Sequence, residues 1–214
     1  TLKFKTCVIA TGGRPAIPNN IPGLHDSPYI TNEQLFNLQS LPPRMVILGS
    51  GIIALEMAQS FALFGSNVTI INRSSKLFES KYGDVEAGQI LQEELEKDGV
   101  TFLSSTNLVK VETIVDNRNN NNNNDDEEKE DFPIMKLYLE GGSSGKQQQQ
   151  ELECECLLVA TGRVANVENL GLEQAGVQYD ESTNGGGIIV NDYGQSVSNK
   201  SIYAVGDCVA DVPR

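Results

Sequence analysis

The chain has 214 residues, 39% of them hydrophobic and 21% charged, which is enough to bury the core of one large domain or two small ones. Acids outnumber bases 29 to 16, a formal charge of −13, and the resulting field disfavours nucleic acid and anionic membranes as partners. No apolar run approaches the ~18–20 residues of a membrane span, and a single histidine, His25, argues against a His-rich metal site or a Ser-His-Asp mechanism within the chain.

In chain order, Phe4 to Gly13 reads as a short buried strand running into a glycine turn. Residues 14–28 hold Pro15, Pro18, Pro22, Gly23 and Pro28 and read as an extended connection, with His25 on its surface. Thr31 and Gln34 have capping-box spacing, which predicts a short helix through Leu35 and Leu38, stopped by Pro42-Pro43. Met45 to Leu48 is an apolar strand, Gly49-Ser50-Gly51 a turn, and Ile52 to Phe64 a helix with apolar positions 52, 55, 58, 61 and 62, closed by Gly65. Val68 to Ile71 is a second strand. Asp84 caps a second helix with Val85, Ile90, Leu91 and Leu95 as its apolar residues, ending at Gly99, and Thr101 to Leu103 is a third strand. This alternation predicts a parallel sheet with right-handed crossovers.

After Leu108 the period changes to two. Val109, Val111 and Thr113 alternate with Lys110 and Glu112, and Met135, Leu137 and Leu139 with Lys136 and Tyr138, which predicts an antiparallel meander. The tracts 117–131 and 141–150 are too polar to offset the entropy of ordering and read as disordered insertions; residues 116–131 alone contribute −5 to the net charge. Residues 157–162 repeat the strand-into-Ala-Thr-Gly ending of residues 8–12. Leu170 to Gly176 reads as a short helical turn, Gly185 to Val190 as a strand, and Ile202 to Asp207 as a last buried strand entering a Gly-Asp turn.

Gly49-Ser50-Gly51-Ile52-Ile53-Ala54 follows a strand and opens a helix. There the first glycine permits the tight turn, the second lets backbone amides approach a pyrophosphate, and the helix N-terminus adds a positive dipole end. A tight turn with no ligand is the plain alternative. An acid at the end of the second strand would accept from the ribose 2′-hydroxyl of NAD. The residues there are Asn72 and Arg73, with Lys76 nearby, and a cation suits the 2′-phosphate of NADP, so NADP is favoured with NAD as the alternative. Glu56, two turns into the helix, is on residue chemistry alone an ordinary exposed glutamate. Cys154 and Cys156 share one strand face and read as inert thiols, Cys7 as a packing residue, and Cys208 receives no catalytic role. No metal site is expected.

Taken together, Ala10-Thr11-Gly12, Gly49-Ser50-Gly51 with Ala54 and Glu56, Ala160-Thr161-Gly162-Arg163 and Ala204-Val205-Gly206-Asp207 resemble, in order and spacing, the FAD/NAD(P)-dependent flavoprotein disulfide reductases, the pyridine nucleotide-disulfide oxidoreductases. Residues 27–31, 41–44, 54–62 and 206–208 are most similar to mercuric reductase-like members. The resemblance implies an α/β fold of three-layer, Rossmann-like dinucleotide-binding type with an antiparallel β meander. An NAD(P)-binding domain (about 29–165) would interrupt two pieces of an FAD-binding domain (1–28 and 166–214). It implies that Thr11 and Gly12 lie beside FAD and that Asp207 accepts from its ribityl chain, with Gly206 allowing close approach. It also implies that Gly49, Gly51, Ile52 and Ile53 hold the pyrophosphate, that Asn72 and Arg73 meet the adenosine ribose, that Glu56 contacts the nicotinamide carboxamide, and that Gly162 borders the nicotinamide side.

The implied activity passes a hydride from NAD(P)H to FAD and electrons on to a disulfide, a thiol-bound metal such as Hg(II), or a related acceptor. An oxidoreductase without a redox dithiol and a non-catalytic nucleotide-binding module are the alternatives. The family's redox cysteine pair and catalytic histidine lie outside this sequence, and Thr1 and the Pro213-Arg214 ending lead us to expect a piece of a longer protein that is inactive alone. We expect an intracellular homodimer, in the cytoplasm or an organelle, acting on a small-molecule or disulfide substrate. Two departures stand out: Arg163-Val164-Ala165-Asn166 lacks the family's proline, and Glu79 stands where NADPH-preferring members carry a second base.

Overall fold

The computed structural model describes residues 3–79, 83–114, 132–141, 148–182 and 186–210. In chain order the elements are β1 (Cys7–Ile9), β2 (Gly13–Pro15), a 3₁₀ turn (Leu35–Asn37), β3 (Arg44–Leu48), α1 (Ile52–Phe64), β4 (Asn67–Ile71), α2 (Val85–Lys97), β5 (Thr101–Leu103), β6 (Thr106–Ile114), β7 (Ile134–Gly141), β8 (Gln148–Cys154), β9 (Cys156–Val159), β10 (Arg163–Ala165), β11 (Tyr179–Asp180), β12 (Gly187–Ile188), β13 (Ile202–Ala204) and a 3₁₀ turn (Gly206–Cys208). They form two compact units, Thr1–Ala16 with Gly162–Arg214, and Ile17–Thr161. Among the described residues no helix is long and apolar enough to cross a membrane.

The Ile17–Thr161 unit is built on a four-stranded parallel sheet of order β5-β4-β3-β9. Its strands read as unbroken apolar runs because both faces are covered. Met45, Ile47, Val68, Ile70, Cys156 and Leu158 pack on Ala54, Leu55 and Ala58 of α1 and Leu95 of α2. The alternate residues Val46, Leu48, Ile71, Leu157 and Val159 pack on Leu108, Val111, Met135, Leu137 and Leu139 of the antiparallel meander β6-β7-β8. Helices, sheet and meander are thus the three layers, each strand residue being assigned to a face by the period of two. Residues 17–28, an extended connection in the sequence reading, belong to this unit because Ile21 and Leu24 bury in the meander-side core and Val111 N donates to Pro22 O at 3.0 Å.

The other unit holds the parallel pair β1-β13 and the antiparallel pairs β2-β10 and β11-β12. Its core is Ala165, Val167, Leu172, Val177, Ile188, Ile202, Ala204 and Cys208, with Cys7 and Ile9 packed against it.

Several expectations change in detail. Ile52 and Ile90 are 70% and 63% exposed, because the sheet needs only the Ala54-Leu55-Ala58 face of α1 and the Leu95 end of α2. A bulge between Leu108 and Lys110 turns Val109 outward and leaves Leu108 and Val111 as the inward pair. The capping box forms, Gln34 Oε1 accepting from Thr31 N at 3.0 Å and Oγ1 at 2.7 Å, but it opens only a 3₁₀ turn. Residues 170–176 hold the short turn expected there, Ala175 N donating to Gly171 O at 3.0 Å. Of the polar tract 141–150, Gly141 ends β7 and Gln148 to Gln150 pair with it in β8, since a ladder needs backbone groups and no apolar side chain. The rest of that tract and residues 117–131 lie outside the described residues.

One half-buried ion pair ties meander to sheet. Glu155, between β8 and β9, accepts from Arg44 N at 2.9 Å and from Arg44 Nε at 3.0 Å, while its own N donates to Arg44 O at 3.1 Å. Burial pushes the Glu155 carboxyl up, and the Arg44 hydrogen bonds and charge outweigh it, holding the group below its ordinary value. A lowered carboxyl stabilises the fold above the unfolded pKa and stops doing so as pH falls through the folded one. Glu155→Gln should therefore cost about 1 kcal/mol at neutral pH, allowing for the solvent on Arg44. In denaturant titrations the gap between wild type and variant should close as the pH falls below the carboxylate range.

Candidate functional site

The parallel sheet sends β3 directly into α1, and the corner is set by one glycine. Gly49 has φ +112°, and a Cβ there would lie 2.3 Å from Ala160 O, just past the end of β9. Gly49 N donates to Ile71 O at 3.1 Å and Ala160 N to Leu48 O at 2.9 Å, so the corner is held from both sides. Gly51, the N-cap of α1, is different: a Cβ there would meet no atom within 4 Å. The protein itself does not require glycine at 51, and the open space suits an external group.

Gly51 is followed by a set of unmatched donors. Gly51 provides no side-chain cap, the first turn of α1 carries no acid, and the first intrahelical bond of the turn is Leu55 N to Gly51 O at 3.1 Å. Among the described residues the amides of Ile52, Ile53 and Ala54 have no acceptor. Three N–H groups and the positive end of a 13-residue helix dipole fit an anion such as a pyrophosphate. Gly49, Gly51, Ile52 and Ile53 are thus brought to one corner. Glu56 stands on α1, exposed, its carboxylate without a hydrogen bond or ion pair among the described residues.

At the end of β4, Asn72 is buried and Arg73 exposed. The guanidinium of Arg73 and the ammonium of Lys76 have no partner among the described residues, while Glu79 accepts from Ser75 Oγ at 3.1 Å. Two free cations and one engaged acid thus sit on the loop that follows the strand.

In the other unit, β1 and β13 run parallel in register, Cys7 beside Ile202 and Ile9 beside Ala204, and Val205 N donates to Ile9 O at 3.0 Å. The carboxyl ends of these strands deliver Thr11-Gly12 and Gly206-Asp207. Cβ atoms on Gly12, Gly162 or Gly206 would meet nothing within 4 Å. Thr11 is bracketed by Asn166, its Oγ1 donating to Asn166 O at 2.7 Å and its O accepting from Asn166 Nδ2 at 3.0 Å. Arg163 holds Asp207, donating from Nε to Oδ2 at 2.9 Å, and reaches Gly13 O with Nη2 at 2.6 Å. The side chain of Asp207 is 39% exposed. A half-open carboxylate beside glycines fits a polyhydroxylated group. Arg163 and Asn166 were not among the site residues read from the sequence; the Arg that follows the second Ala-Thr-Gly was the available signal.

Cys154 packs in the meander-side core and Cys156 in the helix-side core, so the two do not share one strand face, and burial pushes both thiols up to about 12. Cys208 is buried and donates to Val205 O at 3.2 Å. Among the described residues no cluster of His, Cys, Asp and Glu is disposed to hold a metal.

The sequence model of pyridine nucleotide-disulphide oxidoreductases matches residues 1–214. The chain belongs to that family. It is 34% identical over 203 residues to a mercuric reductase of Staphylococcus aureus, covering 95% of this chain and 32% of that protein. It is 33% identical over 207 residues to a glutathione reductase of a Nostoc species, covering 94% of this chain and 39% of that one. The HOCl-induced flavoprotein disulfide reductase RclA of Escherichia coli, a mutant solved as its Cu(II) complex, superimposes with a TM-score of 0.72 and 25% identity, over 97% of this chain and 40% of RclA. The chain thus spans about a third of the length of curated mercuric reductases that it matches. The family is one of flavoproteins that use a pyridine nucleotide.

Two glycines in one corner should behave differently. Gly49→Ala should destabilise the full-length protein by about 2 kcal/mol or more, through its left-handed φ and the clash with Ala160. Gly51→Ala should cost no more than about 1 kcal/mol. Chemical denaturation of both variants checks the contrast.

Proposed function

We propose that this chain is the nucleotide-binding portion of an enzyme that takes electrons from NAD(P)H, with NADPH preferred, through FAD to a disulfide, a thiol-bound metal such as Hg(II), or a related acceptor. The observation that supports this most is the row of unmatched amides at Ile52, Ile53 and Ala54 behind an uncapped Gly51. When bound, the pyridine nucleotide supplies a hydride and FAD accepts it.

The residues of the chain do the holding. The amides of Ile52 to Ala54 receive the pyrophosphate, and the missing Cβ at Gly51 leaves room for it. Arg73 and Lys76 pair with a 2′-phosphate, and Glu79, tied to Ser75, reduces without abolishing the positive field there. Glu56 accepts from the carboxamide of the nicotinamide. Thr11, Gly12 and Gly206 border the flavin nucleotide, Asp207 accepts from its ribityl hydroxyls while Arg163 keeps the carboxylate oriented, and Gly162 lies on the nicotinamide side. Because the Cys154 and Cys156 thiols are pushed up to about 12, they supply no thiolate at neutral pH. The dithiol that passes electrons to the acceptor is expected elsewhere in the full-length protein, as the family resemblance implies. The mercuric and glutathione reductases among its relatives support an acceptor of the thiol-disulfide class. We take the working form to be a homodimer.

Anaerobic addition of NADPH to the full-length protein should bleach the visible flavin absorbance. An unchanged spectrum would contradict the proposal and favour a non-catalytic nucleotide-binding module. Arg73→Glu should lower the ratio of NADPH to NADH affinity by about tenfold or more, the loss of one charge-assisted contact. An unchanged ratio would show that Arg73 does not read the 2′-phosphate.

A further inference from the structure

Asn72 occupies the place from which a side chain would reach the adenosine ribose, yet it is 4% exposed and its amide is engaged by the protein. Its Oδ1 accepts from Ser50 Oγ at 2.8 Å and from Ser74 N at 3.2 Å, and its Nδ2 lies 3.5 Å from Lys76 O. Both main-chain groups are also engaged, N donating to Leu103 O at 2.9 Å and O accepting from Thr106 N at 3.0 Å. The residue is therefore pinned to the strand edge, while its side chain reaches two places at once. One is the middle of the Gly49-Ser50-Gly51 corner. The other is the loop that carries Arg73 and Lys76, whose first turn is closed by the Ser74 amide.

We infer that Asn72 is a positioning residue that couples the phosphate corner to the 2′-phosphate loop through one shared buried oxygen, and is not itself a nucleotide contact. The inference rests on the nucleotide site proposed above. Ser50 has a single O–H to donate, and Asn72 takes it, so Ser50 contributes to phosphate binding by fixing the corner rather than by reaching the ligand. Arg73 lies between the two ends of the turn that Asn72 closes, so the backbone from which its side chain leaves is set by the same oxygen. Because Oδ1 is buried and shared, loosening either bond alters the geometry of the other. The two ends of the site then act as one unit, and the preference for a 2′-phosphate depends on a residue that does not touch it.

The test is a double-mutant cycle on the full-length flavoprotein, with binding of 2′,5′-ADP and of 5′-ADP measured by calorimetry. Ser50→Ala and Asn72→Ala should each weaken 2′,5′-ADP by about threefold, and the double variant should be no weaker than either alone by more than about twofold. Asn72→Ala should also reduce the preference for 2′,5′-ADP over 5′-ADP by about threefold, a change that mere loss of stability would not produce. Costs that multiply, or an unchanged preference, would overturn the coupling. Should Asn72→Ala fail to fold with FAD bound, Ser50→Ala and Ser50→Thr decide: weakening by the first and recovery by the second, which keeps the hydroxyl, supports the tether, and equal affinity in both overturns it. A wild-type protein that binds neither fragment removes the nucleotide site itself, and the inference with it.

Discussion

The close approach of the ends of β3 and β9 is the constraint on which the site depends. Gly49 sits between Ile71 and Ala160, with no room for a Cβ on the Ala160 side. The chain must therefore turn sharply at the carboxyl edge of the sheet, and only Gly49, Ser50 and Gly51 separate the end of β3 from α1. From this follow the direction of the helix dipole, the uncapped N-terminus and the open volume at Gly51. A larger residue at 49 would move α1 and with it every donor of the site.

The same logic of strand ends operates in the other unit with different chemistry. There the parallel pair β1-β13 presents Thr11-Gly12 and Gly206-Asp207 at its carboxyl edge, and the groups offered are a carboxylate and bare backbone rather than a helix N-terminus. Arg163 is the element that makes this arrangement stable, since it ties Asp207 to Gly13 O across the β2-β10 pair. One unit offers donors to phosphate and the other an acceptor to hydroxyls, a division that suits two nucleotides of different attachment.

Much of this was legible in the sequence, and the reasons are local. Both long helices run as read, because Gly65 adopts φ +110° just after α1 and Asp84 caps α2 through the amides of Glu86 and Ala87. The strands β3, β4 and β9 were legible as continuous apolar runs because each is covered on both faces. What escaped depends on partners distant in sequence. The bulge at Leu108 is fixed by pairing with β7, the ordering of Gln148 to Gln150 by the same strand, and the bracket on Thr11 by Asn166. Asn72, at the end of β4, reads from the sequence as a ribose contact; its burial and its bond to Ser50 arise only when the corner folds back beside β4. The four Ala-Thr-Gly, Gly-x-Gly and Gly-Asp motifs carried the family because each marks a strand end, where backbone geometry leaves little choice of residue.

In the proposed function, the first-turn amides of α1 receive the pyrophosphate of a pyridine nucleotide. Hydrogen exchange over residues 49–55 of the full-length protein, with and without NADP⁺, tests it most directly. Exchange at Ile52, Ile53 and Ala54 should be fast in the free protein, where these amides have no acceptor among the described residues, and should slow markedly on binding. Slowing elsewhere in the chain with no change at these three amides would contradict it.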